Sequence, residues 1–256
     1  MFDAKKISEE IISFIRNYFI SNNIKGAVIG ISGGKDSAVV AGLFSKAIGP
    51  ENVVGLWMPC HSKAEDKNNA KLVSDTFGFK LIDIDLTDTY EEYINKYKNI
   101  YPEAIDDDYI NSNINIKPRL RMATLYYNAS LLTSIKKGLY IVPGTSNACE
   151  LYVGYFTKGG DNVADIQVLA NLNVEEVIKV GMEIGVPKQV VLKTPDDGLS
   201  GMSDEEKLGV TYDEIAKVIK NNDTFEIDEN AKRKILKMHR NCQHKFNPAT
   251  YGNKYE

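Results

Sequence analysis

The chain has 256 residues, 43% hydrophobic and 26% charged, with a formal net charge of −4. These figures suit one large soluble domain over 1–256 and argue against a protein that coats nucleic acid. Cys60, Cys149 and Cys242 are odd in number and widely spaced, which excludes a zinc ribbon and a disulfide framework. The N-terminus lacks a signal peptide's apolar core and no apolar run is long enough to span a membrane, so the expectation is a cytoplasmic protein.

Residues 6–20 place Ile7, Ile11, Phe14, Ile15 and Tyr18 at helical spacing. Glu9 and Glu10 sit on the opposite face, which favours packing on the domain or a partner over a membrane surface. Asn22-Asn23 ends this helix. An apolar strand, Ala27-Val28-Ile29-Gly30-Ile31, then runs into Ser32-Gly33-Gly34-Lys35-Asp36-Ser37, and the apolar run 38–44 reads as a helix. Strand, glycine turn and helix make a phosphate cradle: backbone N–H groups and the positive helix end converge on one spot. Gly33 and Gly34 permit unusual backbone angles and clear side chains from the anion's path. Ser32 and Ser37 add hydroxyls and Lys35 a positive charge. Asp36 makes sense among phosphates as a ligand for Mg²⁺. The loop is not a Walker A motif, because Asp36, not Ser or Thr, follows Lys35. It resembles the Ser-Gly-Gly-x-Asp-Ser loop of the ATP pyrophosphatases, which cleave ATP to AMP and pyrophosphate.

A second strand is expected at 53–58, followed by a loop in which His61 is read as solvent-facing. A helix is expected over 64–77 and a third strand over 80–86. Alternating strands and helices predict an α/β fold, a doubly wound parallel sheet in three layers. From Thr87 to Ile116 the chain is polar, with Asp106-Asp107-Asp108 read as a solvated surface. A helix is expected from Asn115 to about Lys137. Arg119 and Arg121 on it point to different sides, one suited to an anionic substrate and the other to a neighbouring subunit. A fourth strand, Leu139-Tyr140-Ile141-Val142, delivers Gly144-Thr145-Ser146-Asn147 to the edge that carries the glycine loop. Glu150 follows at a helix start, where it could join Asp36 as a second Mg²⁺ carboxylate. The glycine-rich run Tyr155 to Asp165 flanks the same edge as a candidate substrate loop. Further helices are expected from Asn173 to Ile184 and over 203–208, 211–220 and 226–242.

Four blocks together resemble the NAD synthetase family. They are loop 30–37; Lys117-Pro118-Arg119-Leu120-Arg121-Met122 with Leu125-Tyr126-Tyr127; Gly144-Thr145-Ser146-Asn147 to Glu150 with Gly154-Tyr155-Phe156-Thr157-Lys158 and Asp161; and Asp204-Glu205 with Lys207-Leu208-Gly209-Val210-Thr211-Tyr212, followed by His244-Lys245. The resemblance implies an adenine nucleotide alpha-hydrolase-like sheet with additional C-terminal helices. It implies an ammonia-dependent ligase that converts deamido-NAD, ATP and ammonia to NAD, AMP and pyrophosphate through an adenylated carboxylate. Carried over by position, ATP is held by Gly30, Ile31, Ser32, Gly33, Gly34, Lys35, Asp36, Ser37 and Thr145. Deamido-NAD is held by Arg119, Lys158, Asp165, His244 and Lys245. Mg²⁺ is held by Asp36 and Glu150, and Asp36 and Asp165 are the catalytic carboxylates. The resemblance also implies a homodimer and, as nitrogen source, free ammonia or ammonia from a separate protein; no nucleic-acid or membrane partner is expected.

Two positions depart from the family pattern. Val174 stands where a Lys that touches ATP is usual, and Asp196 where Ser or Thr is usual. Both changes remove a group that favours phosphate, which predicts weaker ATP affinity or compensation by Lys193 or Lys35. The rivals are a sibling ATP pyrophosphatase acting on another oxygen and a non-catalytic nucleotide sensor.

Overall fold

Four parallel strands form the sheet: β1 (Ile24–Gly30), β2 (Val53–Trp57), β3 (Lys80–Asp83) and β4 (Leu139–Ile141). Their order is β3-β2-β1-β4. The computed structural model describes residues 2–102, 110–193, 203–220 and 226–247. β1 is the strand from which the chain departs in both directions, so the crevice at its carboxyl end, beside β4, is the switch point where ligands of open α/β sheets bind.

β1 and β2 are buried on both faces, and their period of two sorts the residues cleanly. Ala27, Ile29, Ile31, Val53 and Trp57 join one apolar cluster, and Val28, Val54, Leu56 and Met58 join the other. On the first face pack α1 (Ala4–Ser21), α2 (Lys35–Ile48) and α3 (Ala64–Phe77). On the second pack α4 (Thr87–Lys98) and α5 (Ile110–Lys136). Next come the short strand β5 (Pro143–Gly144), helix α6 (Ala148–Val153) and strand β6 (Ile166–Gln167), with β5 and β6 pairing in parallel. Helices α7 (Val174–Ile184) and α8 (Lys188–Val191) return to the first face. The C-terminal helices α9 (Asp204–Leu208), α10 (Tyr212–Lys220) and α11 (Glu229–Cys242) close with α6 around a third cluster that includes Cys149, Ile215 and Ile235. The three-layer parallel sheet and the appended helices are thus as the sequence implied.

Several boundaries differ. The third strand ends at Asp83, although Ile84 and Leu86 still donate N–H groups to the carbonyls of Trp57 and Pro59 at 2.9 Å. The polar stretch after Thr87 forms α4, because Tyr90 packs on the second cluster and Tyr93 and Tyr97 lie ring against ring, 5.2 Å apart. Helix α5 starts at Ile110, ahead of the expected Asn115, and carries Pro118 inside it. The β5–β6 pair is too short for a period-two pattern to reveal. After α11, Gln243–Lys245 winds into a 3₁₀ turn. Asp106, Asp107, Asp108 and Asp196 lie outside the described residues.

Gly154 closes α6 with φ +71°, and a Cβ there would meet the Cβ of Cys242 at 2.1 Å. The glycine therefore lets α11 dock on α6. Gly154→Ala should destabilise the protein by about 2 kcal/mol or more, combining positive-φ strain with overpacking, as read by urea unfolding. An unchanged midpoint would mean that α11 does not depend on this approach.

Candidate active site

The turn after β1 is held by its own hydroxyls. The Ile31 N–H donates to the Leu56 carbonyl at 2.9 Å and prolongs the sheet. The Ser32 N–H then donates to Ser37 Oγ at 3.2 Å, Gly34 N–H to Ser32 Oγ at 3.2 Å, and Ser37 Oγ–H to the Gly34 carbonyl at 3.1 Å. Both serines thus shape the turn. Gly33 has φ +80°, and a Cβ on it would lie 2.4 Å from the Asp66 carbonyl, so α3 presses directly on bare backbone. Helix α2 begins with Gly34 as its N-cap and no side-chain cap. Its first N–H groups lack intrahelical acceptors, and Lys35, Asp36 and Ser37 line a cavity of about 460 Å³.

Across the cavity, α6 brings a second carboxylate. Asn147 caps α6: its Oδ1 accepts the N–H groups of Cys149 and Glu150 at 3.0 and 3.1 Å, and its own N–H donates to Glu150 Oε2 at 3.1 Å. The Asn147 amide also donates to Asp36 Oδ1 at 3.3 Å, joining α6 to α2. Lys35, 4% exposed, donates to Asp36 Oδ2 at 2.9 Å. Burial and the nearby Asp36 push the Glu150 carboxyl well above its usual range, whereas Asp36, Glu150 and Asp204 together hold the Lys35 ammonium above its own despite burial. Asp204 is buried and accepts the hydroxyls of Tyr155 at 3.0 Å and Tyr212 at 3.2 Å. Asp36 and Glu150 offer hard oxygens beside a phosphate cradle, and their mutual repulsion is what a divalent cation relieves. The donor set fits Mg²⁺, which takes one or two carboxylates plus phosphate oxygens and water.

The cavity gathers most of the predicted nucleotide residues: Gly30, Ile31, Ser32, Gly34, Lys35, Asp36, Ser37, Thr145 and Glu150 line it. Gly33 lies behind the turn against Asp66. The predicted dinucleotide residues fall outside the lining and split into two groups. Arg119 Nε donates to the Lys158 carbonyl at 3.2 Å, and Lys158 Nζ to the His244 carbonyl at 2.8 Å. Lys245 Nζ donates to the carbonyls of Gly154 and Phe156, each at 2.7 Å. Asp165 stands apart: Oδ2 accepts the Val142 N–H at 2.8 Å and Oδ1 the Tyr126 hydroxyl at 3.2 Å. Both of its oxygens are engaged, an arrangement suited to positioning β4 against β6.

Residues outside the predicted site set also reach the cavity. Arg121, not Arg119, turns inward, with Nε donating to the Met58 carbonyl at 3.1 Å. The two-residue offset gave opposite directions without saying which arginine faced the sheet. Lys117 and Arg121 stand four apart, and that spacing was the available signal. Lys193 lines the cavity in an ion pair with Asp66. Val174 packs against the third apolar cluster and lies outside the cavity lining, so a lysine there would begin from an apolar contact. His61 is half-exposed with φ +59°, 3.5 Å from Glu91, at the cavity rim.

A family model described as NAD synthase matches residues 7–249. An NH(3)-dependent NAD(+) synthetase of Carboxydothermus hydrogenoformans is 38% identical over 81% of this chain and 82% of its own. One from Finegoldia magna is 37% identical over 90% of each. The structure of an NMN synthetase from Francisella tularensis superposes with a TM-score of 0.86 at 31% identity, covering 99% of this chain and 100% of that one.

The raised Glu150 carboxyl has a thermodynamic consequence. Such a group holds its proton more tightly folded than unfolded, so stability falls as pH rises from its ordinary value of 4.5 through the raised one. Glu150→Gln keeps the capping oxygen and removes that cost. At pH 8 the ligand-free variant should be more stable than the parent by about 1 kcal/mol or more, and the difference should vanish near pH 4. Thermal melts across this range test it; a variant less stable at pH 8 would refute it.

Proposed function

The chain belongs to the NAD synthase family, and we propose that its ATP-dependent amidation of deamido-NAD by ammonia takes place in the cavity at the end of β1. The carrying observation is the uncapped N-terminus of α2, with Lys35 and Asp36 in its first turn and Glu150 across the same cavity.

In this reaction the nicotinate carboxylate attacks the α-phosphorus of ATP. The bond from that phosphorus to the bridging oxygen breaks, and pyrophosphate leaves. Ammonia then adds to the acyl carbon of the adenylate, the bond to the AMP oxygen breaks, and NAD, AMP and one proton are released. The first step concentrates charge on the departing pyrophosphate. The free N–H groups of α2 and the ammonium of Lys35 receive it in a recessed site, where such contacts are strongest. Mg²⁺, when bound, neutralises phosphate charge, and Asp36 and Glu150 would hold it. Thr145, at the end of β5, reaches the nucleotide from the opposite wall. Arg119, Lys158 and Lys245, with His244 next to Lys245, form a group suited to the acid dinucleotide, and Asp165 separately keeps the β4 end in place.

A second reading of the substrate has one observation behind it. The Francisella tularensis protein is an NMN synthetase and matches almost end to end. The same cavity chemistry would then amidate the acid mononucleotide.

We also propose a homodimer built on α5. Tyr127, Leu131 and Ile135 lie four apart on one helix face, and with Leu139 beyond it they are 40–69% exposed. An apolar stripe of that kind suits a two-fold partner helix. No described helix is long and apolar enough to cross a membrane.

Purified protein mixed with ATP, Mg²⁺, ammonium and deamido-NAD should release pyrophosphate in step with NAD. Asp36→Asn should lower that rate at least a hundredfold, as expected for loss of a key electrostatic group, with an unchanged melting profile. Turnover only with the acid mononucleotide would select the second reading; none with either would overturn both. In sedimentation velocity the parent should run as a dimer and Leu131→Asp as a monomer. A monomeric parent would remove the α5 interface.

A further inference from the structure

Facing the glycine loop across the cavity is a second set of cations. Lys117 and Arg121 stand one turn apart on α5, and both line the cavity. Lys117 is only 7% exposed, and its ammonium lies over the Tyr90 ring, 4.9 Å from the centroid. Among the described residues, no carboxylate pairs with Lys117 or Arg121. The groups that face them are Cys60, which is buried, the Tyr90 ring and, more remotely, Asp161. Arg121 has Nε on the Met58 carbonyl, which aims the rest of its guanidinium.

This is a costly arrangement for a ligand-free wall. Like charges at i and i+4 repel, and each loses hydration. Burial holds both groups below their usual basicity. Elsewhere in the cavity the lysines have acids beside them: Lys35 has Asp36 and Lys193 has Asp66. An uncompensated cation pair recessed in a binding cavity is what an anionic ligand group would neutralise.

We infer that Lys117 and Arg121 form a second anion subsite, separate from the glycine loop, that binds an oxyanion of one of the two substrates beside the point of attack. The inference rests on the reaction proposed above. Two groups have the required chemistry: the non-leaving α-phosphoryl oxygens of ATP and an anionic group of the acid substrate. In either case the subsite holds the two reactants together while like charges approach, which the pyrophosphate cradle alone does not do.

The test compares the parent with Lys117→Met, which keeps the unbranched stem on Tyr90, and with Lys117→Arg, which restores the charge. Steady-state rates are measured with ATP and deamido-NAD varied separately, and ATP binding by calorimetry with no acid substrate present. Lys117→Met should lose roughly tenfold to hundredfold in kcat/KM while melting at or above the parent's temperature, and Lys117→Arg should recover part of the loss. Weakened ATP binding would place the α-phosphate there; unchanged ATP binding with a raised KM for deamido-NAD would place the acid substrate there. Rates and affinities within twofold of the parent would overturn the inference, as would a Lys117→Met variant that is destabilised and not rescued by Arg. If the parent itself released no pyrophosphate, the proposed reaction would fail first, and calorimetry showing unchanged binding of both ATP and deamido-NAD in Lys117→Met would then overturn the subsite.

Discussion

The structure depends on an unsatisfied helix end. Helix α2 emerges from the central strand with no side chain to cap it, and its free N–H groups open into a recess walled by apolar sheet residues. Such groups need an acceptor, and an anion is the strongest one available. The supporting packing keeps that end rigid: β1 is buried on both faces, α3 presses on Gly33, and the two serine hydroxyls tie the turn to itself.

Around that point the charges are balanced for a complex and poorly balanced without one. Two carboxylates from α2 and α6 lie beside one nearly buried lysine, and burial together with Asp36 makes Glu150 resist ionisation despite that lysine. On the α5 side two cations face the cavity and, among the described residues, neither forms an ion pair. Each imbalance costs stability alone and is relieved by a ligand of opposite charge, as expected where function outweighs local stability. The linkage through Asn147, which caps α6 and reaches Asp36, means that the two carboxylates are placed by a helix cap.

The residues expected to meet the dinucleotide follow a different logic. Arg119, Lys158, His244 and Lys245 are joined mainly through backbone carbonyls, so their positions follow from how α11 and its 3₁₀ turn dock on α6. Lys245 directs two of its donors at carbonyls of the Gly154–Phe156 turn. It therefore holds the glycine-rich loop as well as presenting charge.

The sequence by itself determined the sheet class, the glycine turn between β1 and α2, and the family. These rest on local rules: apolar runs of strand length, glycines where a turn bends sharply, and motif blocks in one order along a chain that is 36–39% identical to its relatives. It did not reveal that Arg121 faces inward and Arg119 outward, because rotation of a helix about its axis is set by what it packs against. Nor did it reveal α4, whose hydrophobic signal is a few tyrosines that matter only once Tyr90 has a neighbour in the second cluster. Tertiary structure alone decided which charges share the cavity, since Lys117, Asp36, Glu150 and Lys193 come from four separate elements. Their energies depend on distance and burial, and neither quantity exists until the chain has closed around them.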